Sequence, residues 1–236
     1  MNRNELLILL DEHLFIDGHM VDYNKQVFIL IGGNMQVLKE SIRERIDQSA
    51  IELFRSHGFE KVSMRKIAAA SHMTVGNIYR YYDSKDHLFE SLVMPTFNKI
   101  KGLVSDEITK EFIDTPERNA LFVKRIIDIF LDIHEKDEAV LDILINSCEG
   151  SSIDSPAVVI SNMLAIRMES LIDRYNKKQK YKIDSNFMAS ILCESLVDNF
   201  IKTLFRFDNN DQRRMHMYHL TQVYTGMFIS KIVESE

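Results

Sequence analysis

The chain has 236 residues, 45% of them hydrophobic, with 8 glycines, 3 prolines and a formal net charge of -6. That length holds one large domain or two small ones with buried cores, and so few chain breakers point to an all-α fold. No apolar run reaches the roughly 18 residues of a membrane span, the longest being Leu6–Leu10 and Val27–Ile31. Glu5 before the first run, with Asp11 and Glu12 after it, argues against a secretory signal.

Charge is unevenly placed. Residues 1–34 carry 2 Lys/Arg against 5 Asp/Glu, residues 35–90 carry 9 against 8, and residues 91–236 carry 18 against 22. Only the middle block is not acidic, so any affinity for nucleic acid rests on where its cations sit. Cys148 and Cys193 lie in apolar helical patterns without a CxxC or a histidine at metal spacing, and are expected to be small buried hydrophobes in a reducing cytoplasm.

Residues 1–34 combine a short apolar stretch, a turn-like Asp17-Gly18 and a β-branched run ending at Gly32-Gly33, none of which continues the helical pattern that begins near Gln36. Two readings stand: Met35 is the natural start, or the segment is a genuine extension that packs on the body or a partner. From Ser41, Ile42, Ile46, Ala50, Leu53 and Phe54 recur at helical steps, and His57-Gly58 supplies a left-handed helix end. Ser63 then caps a short second helix facing the first through Ile67 and Ala68, and Thr74 caps a third after Ala70-Ser71-His72. Ile78 and Tyr82, four apart, point inward, leaving Val75, Gly76, Asn77, Tyr79, Arg80 and Tyr81 for a groove. Gly76 suggests close backbone approach to a ligand surface, against plain tolerance at an exposed first turn.

Further helices are predicted at Ser84 to about Lys110 with a bend at Pro95, Pro116 to about Lys136, Asp137–Cys148, Pro156–Lys180, Ser185–Arg206 and Asp211–Glu234. Pro116 follows Thr115 and Pro156 follows Ser155, the order in which helices begin. The helix from Pro116 is apolar on several faces through Leu121, Phe122, Ile126, Ile127, Ile129, Phe130 and Ile133, so it is surrounded by others and suited to line a cavity.

Chemistry concentrates between Ser41 and Phe89. Arg65 and Lys66 follow the helix-starting Ser63, and Lys85 follows Ser84, so three cations sit where a helix macrodipole is already positive. An anion lying across both helix starts reverses that penalty, and a phosphodiester backbone is the common anion met by helix N-termini and Lys/Arg together.

The stretch Ile42–Phe89 resembles the DNA-binding domain of the TetR family of transcriptional regulators. The family pattern is Thr/Ser-x-x-x-Ile-Ala, a short turn, Gly-x-Leu-Tyr-x-x-Phe and Ser-Lys-x-x-Leu. It stands here as Ser63, Ile67-Ala68, Gly76-Asn77-Ile78-Tyr79-Arg80-Tyr81-Tyr82 and Ser84-Lys85-Asp86-His87-Leu88. Two residues depart from it: His72 stands where the family usually turns on glycine, and Tyr82 where it usually has phenylalanine. His72 is then a candidate for left-handed strain, and the Tyr82 hydroxyl needs a partner.

The resemblance implies a sequence-specific regulator, most simply a ligand-responsive repressor on a palindromic operator of double-stranded DNA. By similarity, Ser63, Tyr79 and Lys85 hold phosphates. Arg65, Val75, Asn77 and Arg80 are candidates for base edges, Arg gripping guanine, Asn pairing with adenine and Val meeting a thymine methyl. Lys66, Thr74, Gly76 and Tyr81 complete the expected DNA face. The resemblance also implies that residues 35–90 form the DNA-binding domain and residues 91–236 bind a small-molecule effector and form a homodimer. The homodimer uses the last two helices, which carry the apolar residues Phe187, Ile191, Leu196, Phe200 and Leu204 and then Met217, Leu220, Tyr224, Met227 and Phe228. Two-fold pairing also makes physical sense, because one recognition helix reads few bases.

Candidate effector contacts are Phe130, His134, Asn146, Met163, Arg167 and Asn199, which include polar groups within apolar helical stretches; Asn162 is a further one. No cofactor is expected. A metal-dependent enzyme built on His134, Asp128, Asp132 and Glu135 is the remote alternative. It is disfavoured because acidic residues on the outer face of an apolar helix are usually its solvated stripe, and no phosphate loop or nucleophile elbow occurs. A DNA-binding activator or architectural protein without an effector is the nearer alternative.

Overall fold

The computed structural model describes residues 9–10, 13–16, 19–22, 34–105, 116–177 and 179–233. Two compact units divide the chain, Met1–Ile42 and Arg43–Glu236.

The first unit contains an antiparallel meander that lies outside the all-helical pattern. Its strands are β1 (Leu9–Leu10), β2 (His13–Ile16) and β3 (His19–Asp22), in the order β1-β2-β3. Leu14 pairs with Leu9 on one side and Val21 on the other, and Ile16 pairs with His19. The Asp17-Gly18 dipeptide between that last pair is the strongest short sequence signal for a two-residue hairpin loop. Helix α1 (Asn34–His57) begins in this unit, running through Met35, and ends in the second.

The second unit is helical. Its first part builds a small core on the apolar stripe of α1: Ile46, Ala50 and Phe54 are fully buried. Gly58 ends α1 in the left-handed region (φ 78°), its N–H donating to the Phe54 carbonyl at 2.9 Å. Helices α2 (Met64–Ala70) and α3 (Val75–Ile78) bring Ile67, Ala68 and Ile78 onto that stripe. Helix α4 (Lys85–Leu103) adds Leu88, Phe89 and Val93. Phe54, Phe59 and Phe89 interlock, with the Phe89 ring edge-on at 5.1 Å to Phe54 and 4.8 Å to Phe59.

Helix α4 continues through Pro95 and stops at Leu103, short of the expected Lys110; residues 106–110 lie outside the described ones. The remaining helices are α5 (Pro116–Lys136), α6 (Glu138–Asn146), α7 (Pro156–Asn176), α8 (Ser185–Arg206) and α9 (Asn210–Val233). Their starts match the proline and acidic cap signals closely. Helices α7, α8 and α9 share a core of Met168, Leu171, Ile172, Ala189, Cys193 and Phe228, and α5, α6, α8 and α9 share another around Ile127, Leu131, Leu141, Leu204 and Met217. Both cysteines are free and buried, and burial pushes the Cys193 thiol up to about 12. Among the described residues no helix is long and apolar enough to cross a membrane.

Candidate nucleic-acid interface

Three helices start in quick succession, each capped by a hydroxyl. Ser63 Oγ accepts from the Lys66 N–H at 3.3 Å, Thr74 Oγ1 from Asn77 at 3.2 Å and Ser84 Oγ from His87 at 3.0 Å. A side-chain cap occupies one of the N–H groups left free in a first helical turn, and the others still point out along the axis. Beside them stand Arg65 and Lys66 in the first turn of α2, both exposed, and Lys85 as the first residue of α4. Lys66 Nζ donates to the Lys61 carbonyl at 2.8 Å. Lys85 is half-buried, its ammonium 3.8 Å from the Phe59 ring centroid and donating to the Phe59 carbonyl at 2.9 Å.

Among the described residues no carboxylate lies within ion-pair distance of Arg65, Lys66, Arg80 or Lys85, whereas Arg43, Arg55, Lys99, Lys136, Lys202 and Arg214 each have at least one. Cations at helix starts without a counter-charge are a standing electrostatic cost that an external anion relieves.

Helix α3 presents the expected faces. Ile78 and Tyr82 are buried; Gly76, Asn77, Tyr79 and Arg80 are exposed, and Val75 and Tyr81 half-buried. Its length needs correcting. The helix is a single turn ending at Ile78, and Tyr79–Tyr82 continue as tight turns, with Tyr81 and Tyr82 N–H both donating to the Ile78 carbonyl at 2.9 and 3.0 Å. Asp83 and Ser84, whose short side chains compete for backbone groups, then end any helical continuation. A Cβ on Gly76 would meet nothing within 4 Å, so no packing inside the chain demands glycine there.

Both departures from the expected pattern have structural consequences. His72 adopts φ 56°, the left-handed end of α2, where Met73 N–H reaches the Ala68 carbonyl at 2.8 Å. The Tyr82 hydroxyl donates to Asp47 Oδ1 and accepts from Arg43 Nε at 2.9 Å. Burial and then the bond to Asp47 raise the tyrosine pKa, and burial also lifts the Asp47 carboxyl above its ordinary value.

Residues 46–92 match the model of the family described as bacterial regulatory proteins, tetR family. This segment, the head of the chain, is a TetR-family DNA-binding domain.

The likeness extends beyond the TetR head. The nucleoid occlusion factor SlmA of Klebsiella pneumoniae is 26% identical over 186 residues, covering 75% of this chain and 91% of that protein; SlmA of Salmonella typhi matches equally. Among solved structures, NalD, the secondary repressor of the MexAB-OprM multidrug efflux pump in Pseudomonas aeruginosa, superposes with a TM-score of 0.52 at 20% identity, over 80% of this chain and 96% of that one. MexZ, a repressor from the same organism, gives 0.51 at 20% identity, over 78% and 95%. At those identities the likeness to the two structures is one of fold.

Behind the TetR head, α4 to α9 line a half-open apolar cavity of about 210 Å³. Phe97 and Ile100 of α4, Phe130 of α5, Leu144 of α6 and Phe200 of α8 contribute to its wall, and Arg167 of α7 and Thr221 of α9 are its polar residues. Helix α5 lines it as its many-sided apolar pattern suggests. Of the six effector candidates, Phe130 and Arg167 reach this wall and the other four do not.

The four go elsewhere for identifiable reasons. His134 lies in polar clefts with Glu138, Asp208 and Arg213, where burial and then Arg213 lower its pKa. Asn146 is exposed and donates to Asp142 at 2.7 Å, one helical turn back. Met163 is half-buried on α7 and is not among the residues that line the cavity. Asn199 is absorbed in the contact of α8 with α9, donating to the Ser195 carbonyl at 2.8 Å and the Tyr224 hydroxyl at 3.1 Å. Thr221 was not singled out by its sequence, because it sits in an apolar stripe like any core threonine.

Three acidic residues of α5 have polar partners. Asp128 pairs with Arg214, Asp132 with Lys136 at 2.8 Å, and Glu135 accepts from Asn210. Among the described residues no three His, Cys, Asp or Glu side chains converge as metal ligands.

Proposed function

We propose that this DNA-binding regulator is an effector-responsive repressor that grips a palindromic operator as a homodimer. Residues 35–90 serve as the DNA-binding domain and residues 91–236 as the effector-binding and dimerisation domain. The observation that carries the DNA reading is the group of helix-start cations with no carboxylate partner among the described residues. Lys85, Ser63 and Tyr79 hold phosphates, with Lys66 and Thr74 beside them. Arg65, Val75, Asn77 and Arg80 face base edges, and the open space over Gly76 lets the backbone approach the duplex, with Tyr81 at its margin.

The effector is a small, largely apolar molecule in the cavity, oriented by Arg167 and Thr221. A volume of 210 Å³ corresponds to about seven waters, below the usual range for drug-sized ligands. Exposed apolar residues support pairing of α8 and α9 with a second copy: Phe187, Ile191 and Phe205 repeat on one face of α8, and Met215 and Val223 are exposed on α9. NalD and MexZ, which share the fold, are both repressors, in agreement with this reading.

Lys85→Ala tests the DNA assignment. Binding to every duplex should weaken, and the slope of log affinity against log salt should fall by about 0.9 per protomer. Wild-type affinity and slope in the variant would remove Lys85 from the interface. A second reading, a DNA-binding protein that needs no effector, is favoured by the small volume of the cavity. Ile160→Trp separates the two by filling the cavity: an effector-responsive protein should lose operator affinity, and an effector-independent one should keep it.

A further inference from the structure

We propose that Arg43 is a DNA-backbone contact aimed by the Tyr82 hydroxyl. The proposal deepens the reading of the head as a DNA clamp, and adds to it a residue on α1 and a reason for a tyrosine in the core.

Tyr82 is 1% exposed, so its ring belongs to the core of the head. A phenyl ring would fill the same space without a polar atom to satisfy, and an unpartnered buried hydroxyl is costly. Here the hydroxyl bridges two residues of α1, donating to Asp47 and accepting from Arg43 Nε at 2.9 Å. The Arg43 guanidinium stands 5.3 Å from the Tyr82 ring centroid, and Asp47 Oδ2 lies 3.9 Å from Nε. All the hydrogen bonding of Arg43 to described residues runs through Nε, and the side chain is 56% exposed, leaving both terminal nitrogens for an outside partner. A guanidinium fixed through Nε with its end in solvent is suited to phosphate.

Its position fits that partner. Tyr82 sits in the turn joining α3 to α4, two residues after Arg80 and directly before Asp83, Ser84 and Lys85. Further along, α1 is tied to the body. Arg55, twelve residues on and so about 18 Å along the axis, bonds Asp142 of α6 at 2.7 Å. Arg43 therefore lies in the N-terminal half of α1, apart from that tie to α6, with its guanidinium held beside Tyr82, two residues after Arg80.

The full chain, titrated with a 30-base-pair duplex of arbitrary sequence at 50 and 200 mM salt, tests this. Arg43→Gln removes the charge from an exposed position, so folding is not at issue. The loss of affinity between the two salts should be about 3-fold smaller than for wild type per contact removed. Tyr82→Phe keeps the charge and frees the side chain; it should weaken binding less than Arg43→Gln does, and the double variant should bind no more weakly than Arg43→Gln alone. An unchanged salt dependence in Arg43→Gln overturns the contact, and additive losses in the double variant overturn the aiming role. Absence of salt-sensitive binding by the wild type would instead overturn the reading of the head itself.

Discussion

His72 holds a backbone angle, φ 56°, that costs a side-chain-bearing residue about 1–2 kcal/mol. It is kept there by the helix-ending bond from Met73 N–H to the Ala68 carbonyl, which closes α2 so that α3 can cross it. His72→Gly should raise stability by about 1 kcal/mol, visible as a higher denaturant midpoint with an unchanged slope; an unchanged or lower midpoint would mean the imidazole makes a compensating contact. At this scale the sequence was informative about demand and silent about supply. That His72 would be left-handed and that the Tyr82 hydroxyl would need a partner followed from the residues and the pattern they depart from. That the partners would be Arg43 and Asp47 did not, because they lie 39 and 35 positions away and only packing brings them near.

Helix α6 has two working faces. Leu141, Leu144 and Ile145 line the cavity, while Asp142 and Glu138 meet Arg55 at the end of α1, at 2.7 and 3.7 Å. Just beyond, Phe59 N–H donates to the Ser147 carbonyl at 2.9 Å. The carboxylate pairing is partly exposed, so breaking it should cost at most about 1 kcal/mol. Asp142→Asn should therefore leave global stability nearly unchanged yet speed amide exchange at His57, Gly58 and Phe59. Uniform protection across α1 and α6 in the variant would show that the ion pair does not hold this junction. Helix starts were legible because caps are local: Ser63, Thr74, Ser84, Pro116 and Pro156 each mark a boundary within a residue or two. The end of α3 at Ile78 and strands of two to four residues were not, since neither shows a period over its length. The placements of His134, Asn146, Met163 and Asn199 were equally hidden, because which face of a buried helix meets a void is decided by its neighbours.

The molecule as a whole is acidic, so general attraction does not favour DNA; the cations at the helix starts act at short range, and the proposed homodimer doubles their number. Pairing is where the exposed apolar faces of α8 and α9 enter. Phe187 is 61% exposed and Val223 77%, unusual for large side chains on a charged surface. Phe187→Glu combined with Val223→Glu should yield a monomer by sedimentation that has lost most of its operator affinity while keeping weak salt-sensitive binding to any duplex. A dimer that survives both substitutions would place the interface elsewhere. The most direct measurement is selection of bound duplexes from a random pool by the full-length protein. The expected result is an inverted repeat whose half-sites are spaced for two recognition elements on one face of the helix, about 10 base pairs or a multiple apart. Salt-sensitive binding that enriches no sequence, or enrichment of a single unrepeated site, would contradict a two-fold, sequence-reading regulator.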